Sequence, residues 1–427
     1  MLLHNKGVAH QVHGTKNTRK MNLGVLALAV CGFFLAALHP ARADEKRIIW
    51  WNTVKGPTEI TAQDLQNGSQ TFDGFVVQNV HGTQDGKGDG LAWEAFTDRR
   101  YTIDPNDGSG DNIADSVAAL VNLPPTPMPE RFLRINASPY NNKHFSWVDD
   151  GFWDNVVNNL QVASAIIAKA HLKGIYFDTE PYHRGTDPNL YWASDFLKDP
   201  RYAGMSKDDL DRLVEKRGNQ IIRALNKYSP RTSIIVSFSS ITISQHTARN
   251  KSQDSLLAYL LDGMLDASTP DTTFIDGFES GYWHNDDPNY FNFWTNNIKN
   301  PKSYNVRFQK YPDKFMRQYQ VAVGFFLDRD RDEAGHFVDG WCGDDKANMF
   351  YSPGRLAFTI QQAALAADKY VWVYSKIPNA WLPPDSPGGI PSVYVKAIRD
   401  GMAHANDLSL PLLLQNTSDE PESAVCK

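Results

Sequence analysis

The sequence predicts a (β/α)8 barrel, because eight short apolar segments alternate with helical segments over most of the chain. Most of these segments are continuous apolar runs rather than strict alternations, as expected of parallel strands that are buried on both faces. No Gly-rich phosphate loop follows an early strand, which favours the barrel over an open doubly wound sheet. The eight predicted strands are residues 47–52, 72–80, 131–139, 172–180, 232–240, 273–280, 319–328 and 370–376.

Helical periodicity is clearest in the segments after the third and fourth predicted strands. In residues 149–171, apolar side chains recur at spacings of three and four, which predicts an amphipathic helix. Residues 206–228 begin with an acidic first turn after Ser206, as is typical of a helix start. Helical segments also follow the fifth, seventh and eighth strands, whereas the first two gaps carry only short helical patterns.

The N-terminal segment is typical of an export signal. Arg19 and Lys20 precede a long apolar run, and Ala41 and Ala43 form an Ala-x-Ala cleavage pattern. Pro40 and this pattern interrupt the run, which favours a cleaved signal over a membrane anchor. We therefore expect a secreted or periplasmic protein without stable membrane insertion after cleavage. The predicted organisation is an N-terminal extension with signal peptide (1–43), one catalytic barrel (44–407) and a loosely ordered tail (408–427).

Composition argues against several classes of partner and cofactor. The net charge of −6 gives no reason to expect nucleic acid. No histidine pair has zinc-ligand spacing, and Glu333 stands where a calcium loop after Asp328 needs glycine, so we expect no metal and no cofactor. After signal removal two cysteines remain, Cys342 and Cys426; the sequence does not establish whether they pair, nor does it indicate the oligomeric state.

Polar side chains follow nearly every predicted strand, and carboxylates concentrate after strands four, six and seven. Such strand ends form the active site of a (β/α)8 barrel. Asp178 and Glu180 are two residues apart and therefore project to the same side of strand four as Tyr176. Adjacent carboxyls raise one another's proton affinity, which favours acid–base chemistry. The structural alternative is that these acids cap the next loop or pair with an arginine such as Arg184.

A partner carboxylate is expected across the cleft. Glu279 closes strand six among aromatic residues and is the first choice, whereas Asp276 has the opposite parity and is expected to be structural. Asp328, after strand seven, is the alternative partner. The residues predicted to bind substrate are Asn79, His81, Asn136, Tyr182, Tyr282, Trp283, Asp328 and Trp372.

The stretch GIYFDTEPY, residues 174–182, resembles the fourth-strand signature of TIM-barrel glycoside hydrolases. Its Asp-x-Glu ending is similar to that of chitinase-like enzymes, and Thr-Glu-Pro is similar to the Asn-Glu-Pro of the large retaining β-glycosidase clan. Both resemblances imply that Glu180 is the general acid/base, assisted by Asp178. Ile175 and Tyr176 replace part of the chitinase aspartate repeat, and Asp328 stands where the second clan has glutamate. The resemblance therefore indicates a superfamily rather than one family.

These observations together predict an exported glycoside hydrolase that cleaves a poly- or oligosaccharide by carboxylate acid/base catalysis, with Glu180, Asp178 and Glu279 as catalytic residues. The alternatives are a catalytically inactive carbohydrate-binding barrel and a barrel hydrolase that acts on something other than sugar. Retention, inversion and attack by a substrate N-acetyl group oriented by Asp178 all stay open at this point. So do the sugar, the anomer and endo or exo action.

Overall fold

The computed structural model describes residues 45–51, 54–81, 90–138, 145–180, 191–237, 255–283, 310–331, 337–339, 352–375 and 379–405. The predicted signal and tail, together with Cys342 and Cys426, lie outside these residues.

Eight parallel strands form the centre of the molecule, and each coincides with one of the predicted strands. They are β1 (Arg47–Trp51), β2 (Gly74–Val77), β3 (Glu130–Asn136), β4 (Gly174–Asp178), β5 (Ser233–Val236), β6 (Thr273–Asp276), β7 (Tyr319–Val321 and Val323–Phe326) and β8 (Tyr370–Tyr374). Neighbouring strands along the chain pair in parallel from β1 to β7.

The sheet closes at β7, which is interrupted at Ala322. The first segment, Tyr319–Val321, pairs with β6, and the second, Val323–Phe326, pairs with β8. Strand β8 in turn pairs with β1. Because the two segments of β7 are continuous in the chain, the ring of eight strands is closed. The predicted (β/α)8 barrel is therefore confirmed.

Helices follow the strands in the alternating order of this fold. They are α1 (Ala62–Gly68), α2 (Gly90–Glu94), α3 (Ala114–Asn122), α4 (Asp150–Lys169), α5 (Ala193–Leu197), α6 (Lys207–Leu225), α7 (Leu257–Ala267), α8 (Pro312–Gln318), α9 (Pro353–Ala366) and α10 (Ser392–Ala403). The predicted start of α6 is confirmed, because the Ser206 hydroxyl accepts the Asp209 amide and the Asp209 side chain caps Ser206 in return. Within the described ranges, no helix has the length and apolar character needed to cross a membrane.

Two apolar layers hold the barrel together. Inward-facing residues such as Trp51, Tyr176 and Trp372 fill the ring, whereas their outward-facing neighbours, such as Trp50 and Phe177, pack with the helices. This alternation follows from the two-residue period of a strand. It also decides which strand-end side chains point into the mouth of the barrel.

The lower end of the barrel, where the strands begin, is closed around Glu130. The Tyr370 hydroxyl donates to Glu130 Oε2 at 2.6 Å. Lys369 Nζ lies 3.6 Å from the same oxygen, and Lys173 Nζ lies 3.7 Å from Oε1. Gly74 sits beside Glu130, so close that a Cβ atom on Gly74 would lie 1.7 Å from the Glu130 carbonyl oxygen. This end therefore combines close backbone packing with a charge-balanced carboxylate.

Candidate active site

The two carboxyls that end β4 lie at the upper end of the barrel, where the strands finish. Asp178 is fully buried, and Glu180, two residues further on, is half-buried. Tyr176 belongs to the apolar cluster inside the ring, so the side of β4 that it shares with Asp178 faces the barrel interior. The Glu180 amide donates to Asp178 Oδ1 at 3.0 Å, which fixes the start of the loop after β4.

Asp178 pairs with Arg134 of β3, whereas Arg184, which the sequence suggested as a partner, lies outside the described residues. Arg134 Nη2 lies 2.6 Å from Asp178 Oδ2, and both side chains are almost completely buried. The Ser237 hydroxyl, just past β5, lies 3.4 Å from Asp178 Oδ1. Both carboxylate oxygens of Asp178 thus have donors from the protein.

Arg134 is itself held from three sides. Its Nη1 donates to Gln78 Oε1, at the end of β2, at 3.0 Å. Its guanidinium carbon lies 3.7 Å from the ring centre of Trp93 and 4.8 Å from that of Trp51. Stacking between two indole rings stabilises a guanidinium and restricts its plane. The arginine therefore presents a fixed donor to Asp178.

Glu279 opens a short 3-10 helix (Glu279–Trp283) just after β6. Its amide donates to the Ser237 carbonyl at 3.2 Å, and the preceding Phe278 has a positive φ of 48°, which is rare for a bulky residue. Glu279 is buried, and its Oε2 has no hydrogen-bond partner among the residues described. Burial, and after it the charges of Asp178 and Glu180, raise the pKa of Glu279 well above its usual range, while Arg134 opposes them. Ser237 links this residue to β4, because its carbonyl accepts the Glu279 amide and its hydroxyl lies 3.4 Å from Asp178 Oδ1.

The other two carboxylate candidates have different surroundings. Asp276 accepts hydrogen bonds from the Tyr319 hydroxyl at 2.9 Å and from the Phe278 amide at 3.0 Å. It thus supports the turn after β6, in agreement with its predicted structural role. Asp328 follows β7 and is fully buried.

The predicted polar binding residues differ in accessibility. Asn136 ends β3 beside Asp178 in the strand register, and its Oδ1 accepts the Ser138 amide at 2.9 Å. Its Nδ2 is buried without a partner in the described part of the chain. Asn79, after β2, is half-buried with a positive φ of 54°, and His81 is exposed. Asn136 is thus the predicted polar residue that stands in register beside the carboxyls.

The predicted aromatic residues mostly pack with one another. Tyr282 is nearly buried, and its ring centre lies 5.3 Å from that of Trp372. Trp372 is fully buried inside the barrel, where its Nε1 donates to the Gly277 carbonyl at 2.5 Å. Trp283 lies in the 3-10 helix, with only its backbone described, and Tyr182 falls outside the described residues. Trp372 thus supports the ring of Tyr282 from inside the barrel.

Two residues near Asp178 were not recognised in the sequence. Arg134 precedes Asn136 by two positions, so a charged residue at an inward-facing strand position was the available signal. Tyr191 is buried, and this burial together with the charge of Asp178 raises its pKa well above the usual range. No short-range pattern in the sequence indicates its burial beside this site.

The carboxyl groups at this end of the barrel differ in burial and in the charges beside them. Asp178 is neutralised by Arg134, Glu180 is accessible, and Glu279 is buried with a raised pKa. Carboxyl groups whose pKa values are driven apart can divide the roles of acid and base. In the described ranges, no group of three or more His, Cys, Asp or Glu side chains could hold a metal ion.

Comparisons with known proteins concern the fold. No protein-family description matches the chain, and no curated protein matches it. Among solved structures, the chain is similar to a Bacteroidetes-affiliated GH5 cellulase (TM-score 0.42, 9% identity, covering 90% of this chain and 96% of that one). It is also similar to a thermostable mutant of a Cellvibrio japonicus xylanase (TM-score 0.47, 12% identity, covering 84% of this chain and 98% of that one). A third similar structure is a mannonate dehydratase from Streptococcus suis serotype 2 (TM-score 0.37, 9% identity, covering 84% of this chain and 93% of that one). The closed strand order, rather than these similarities, carries the assignment of the chain to the (β/α)8 fold.

Proposed function

We propose that the protein is a glycoside hydrolase in which Glu180 and Glu279 are the reacting carboxyl pair. The observation that carries the proposal is the raised pKa of Glu279, which burial and the charges of Asp178 and Glu180 produce at the mouth of the barrel. Cleavage of a glycosidic bond needs one protonated carboxyl and one ionised carboxyl on either side of that bond. A site in which burial and neighbouring charges raise the pKa of one glutamate beside other carboxyls supports this division.

The roles of the two glutamates follow from which of them is protonated. The resemblance of the β4 motif implies that Glu180 is the acid, but burial favours the protonated form of Glu279. We therefore assign proton donation to Glu279 and the role of ionised nucleophile or base to Glu180. Asp178 supports both as a buried carboxylate paired with Arg134. Export to the periplasm or the medium remains part of this proposal and is supported by the N-terminal signal pattern.

The first test is the release of reducing ends from a panel of polysaccharides by the wild-type protein and by Glu180→Gln. We expect hydrolysis of at least one polysaccharide by the wild type and a loss of about 10²–10⁴-fold in the variant, the usual contribution of such a group. Glycan binding by the variant is expected to persist. Binding without turnover in the wild type would instead support the inactive carbohydrate-binding barrel.

A second test separates donor from nucleophile. An aryl glycoside with an activated leaving group needs no proton, so a donor variant keeps much of its cleavage step on that substrate. We expect Glu279→Gln to recover activity on the activated substrate and Glu180→Gln to stay inactive. Recovery of activity in Glu180→Gln but not in Glu279→Gln would instead make Glu180 the proton donor, as the sequence motif implies.

A further inference from the structure

A groove on the outer surface of the barrel has no role in the proposed reaction. It lies between α3 and α4 and consists of two adjoining cavities of about 370 Å³ and 560 Å³. Ile103 and Lys169 line both cavities, so the two belong to one surface depression, the α3–α4 groove. Its walls include Ile103, Val121, Val162, Ala165, Lys169 and Tyr228.

The α3–α4 groove exposes apolar side chains next to one another. Val121 on α3 is 46% exposed, and Tyr228, which follows α6, is 52% exposed. Ile103 and Val162 between them are half-buried. Apolar side chains that line one depression, rather than being scattered singly, indicate that a further segment or molecule covers them.

The groove opens toward the lower end of the barrel, where α10 also ends. Lys169 is the last residue of α4, and Tyr228 lies between α6 and β5. Near the end of α10, Arg399 donates to the Gln70 carbonyl at 2.9 Å, and its Nη1 lies 3.1 Å from Asp73 Oδ1, just before β2. Since α3 connects β2 with β3, the chain leaves α10 on the side of the groove that α3 forms.

The chain beyond α10 contains an apolar segment whose length and pattern fit the groove, although it lies outside the described residues. Residues 408–414 read LSLPLLL, so leucine occupies every second position. A period of two puts the leucines on one side of an extended segment, and Pro411 disfavours a helix. An extended chain from Ala405 to Leu414 spans about 30 Å, which is enough to pass from the end of α10 to α3.

The charges of the groove and of this segment are complementary. Lys169 lines the middle of the groove, and Lys227 Nζ lies 5.2 Å from the ring centre of Tyr228, at the α6 side. Asp104 lines the cavity at the α3 side. After the leucines the sequence continues with the acidic stretch SDEPES, residues 418–423. A segment that enters at α3 and runs toward α6 brings its acidic part to the lysines and away from Asp104.

We propose that residues 408–414 bind in the α3–α4 groove of their own chain, with the leucines on its apolar wall and the acidic stretch beside Lys169 and Lys227. The bound segment covers the exposed apolar surface and connects α10 to α3 and α4. This inference does not depend on the proposed function, because the groove lies on the outside of the barrel and the candidate carboxyls lie at its upper end.

The test is limited proteolysis of the full chain with chymotrypsin, which cleaves after leucine, followed by mass spectrometry. A bound segment is protected, so we expect slow cleavage within residues 408–414 in the wild type. Val121→Asp puts a carboxylate on the apolar wall, where covering it costs desolvation, so cleavage should be about tenfold faster. Equal rates in the wild type and in Val121→Asp would overturn the proposal.

Val54→Asp is the matched control. Val54 is 44% exposed, almost the same as Val121, but it follows β1 at the upper end of the barrel, outside the groove. Its substitution is expected to leave the cleavage rate unchanged. An equal increase in Val54→Asp and Val121→Asp would overturn the proposal, because an added surface charge would then explain the effect.

Dilution distinguishes the chain's own segment from that of a second copy. Protection within one chain does not depend on protein concentration, so a loss of protection on dilution would overturn the proposal. If Val121→Asp does not fold, Leu412→Ser decides the question. Removal of a buried leucine side chain should lower the midpoint of urea unfolding, and an unchanged midpoint would also overturn the proposal.

Discussion

Buried carboxyl groups have opposite surroundings at the two ends of the barrel. At the lower end, Glu130 is surrounded by the Tyr370 hydroxyl and two lysine ammonium groups. At the upper end, Glu279 shares its surroundings with two further carboxyls and is influenced by a single cation among the residues described, Arg134. A carboxylate that is compensated by donors and cations stabilises the closed ring. Burial beside other carboxyls raises the pKa of a carboxyl and lowers the stability of the fold. The difference supports the proposal that the lower end maintains the fold and that the upper end carries the reacting carboxyls.

The largest effect is expected at Glu279. Glu279→Gln removes the proposed donor, so turnover of an unactivated glycan should fall about 10²–10⁴-fold. The free energy of unfolding should instead be higher in Glu279→Gln than in the wild type at high pH. The raised pKa in the folded state means that the wild type loses stability as pH rises from the unfolded value, about 4.3, through the folded one.

Urea unfolding at two pH values checks this sign. Glu279→Gln should match the wild type near pH 4 and exceed it at pH 8, because only the wild type bears the cost of keeping a carboxyl neutral at high pH. If Glu279→Gln is less stable than the wild type at pH 8, the Glu279 carboxyl must be compensated by its surroundings, as Glu130 is.

A steric change at the lower end should produce the largest loss of stability. Gly74→Ala would place a Cβ atom 1.7 Å from the Glu130 carbonyl oxygen, so β2 and β3 would have to separate. We expect a loss of about 3 kcal/mol in the free energy of unfolding. Gly108→Ala, where the added atom meets nothing within 4 Å, is the control and should behave as the wild type in denaturant unfolding. Equal stabilities for the two variants would contradict the close packing of this end.

The smallest effect is expected for Glu130→Gln. The amide still accepts from Tyr370, and only the attraction to Lys173 and Lys369, whose side chains are 41% and 31% exposed, is lost. Partly exposed ion pairs contribute little, so we expect a loss of about 1 kcal/mol by thermal unfolding. Turnover should be unchanged, and a large loss of turnover would show that the lower end also takes part in the reaction.

Much of the upper end of the barrel could be predicted from the local pattern of the sequence. The continuous apolar runs predicted all eight strands, and the two-residue period placed Tyr176 and Asp178 on one side of β4, which the structure shows to face the barrel interior. Asp276, which has the opposite parity to Glu279, accepts hydrogen bonds from the Tyr319 hydroxyl and the Phe278 amide. These predictions succeed because strand periodicity depends only on neighbours in the sequence.

The partner of Asp178 could not be predicted in the same way. Arg134 lies 44 residues before Asp178 and meets it only when β3 and β4 pair. Arg184, the arginine that the sequence suggested, lies outside the described residues. The raised pKa of Glu279 depends on its burial and on the charges of Asp178 and Glu180, so it too requires the three-dimensional structure.

The most direct test compares one carboxyl from each end on the best substrate of the polysaccharide panel. Release of reducing ends is measured for the wild type, Glu180→Gln and Glu130→Gln at equal concentrations of folded protein. We expect a loss of about 10²-fold or more for Glu180→Gln and wild-type turnover for Glu130→Gln. Wild-type turnover by Glu180→Gln would contradict the claim that the upper carboxyls are the catalytic centre.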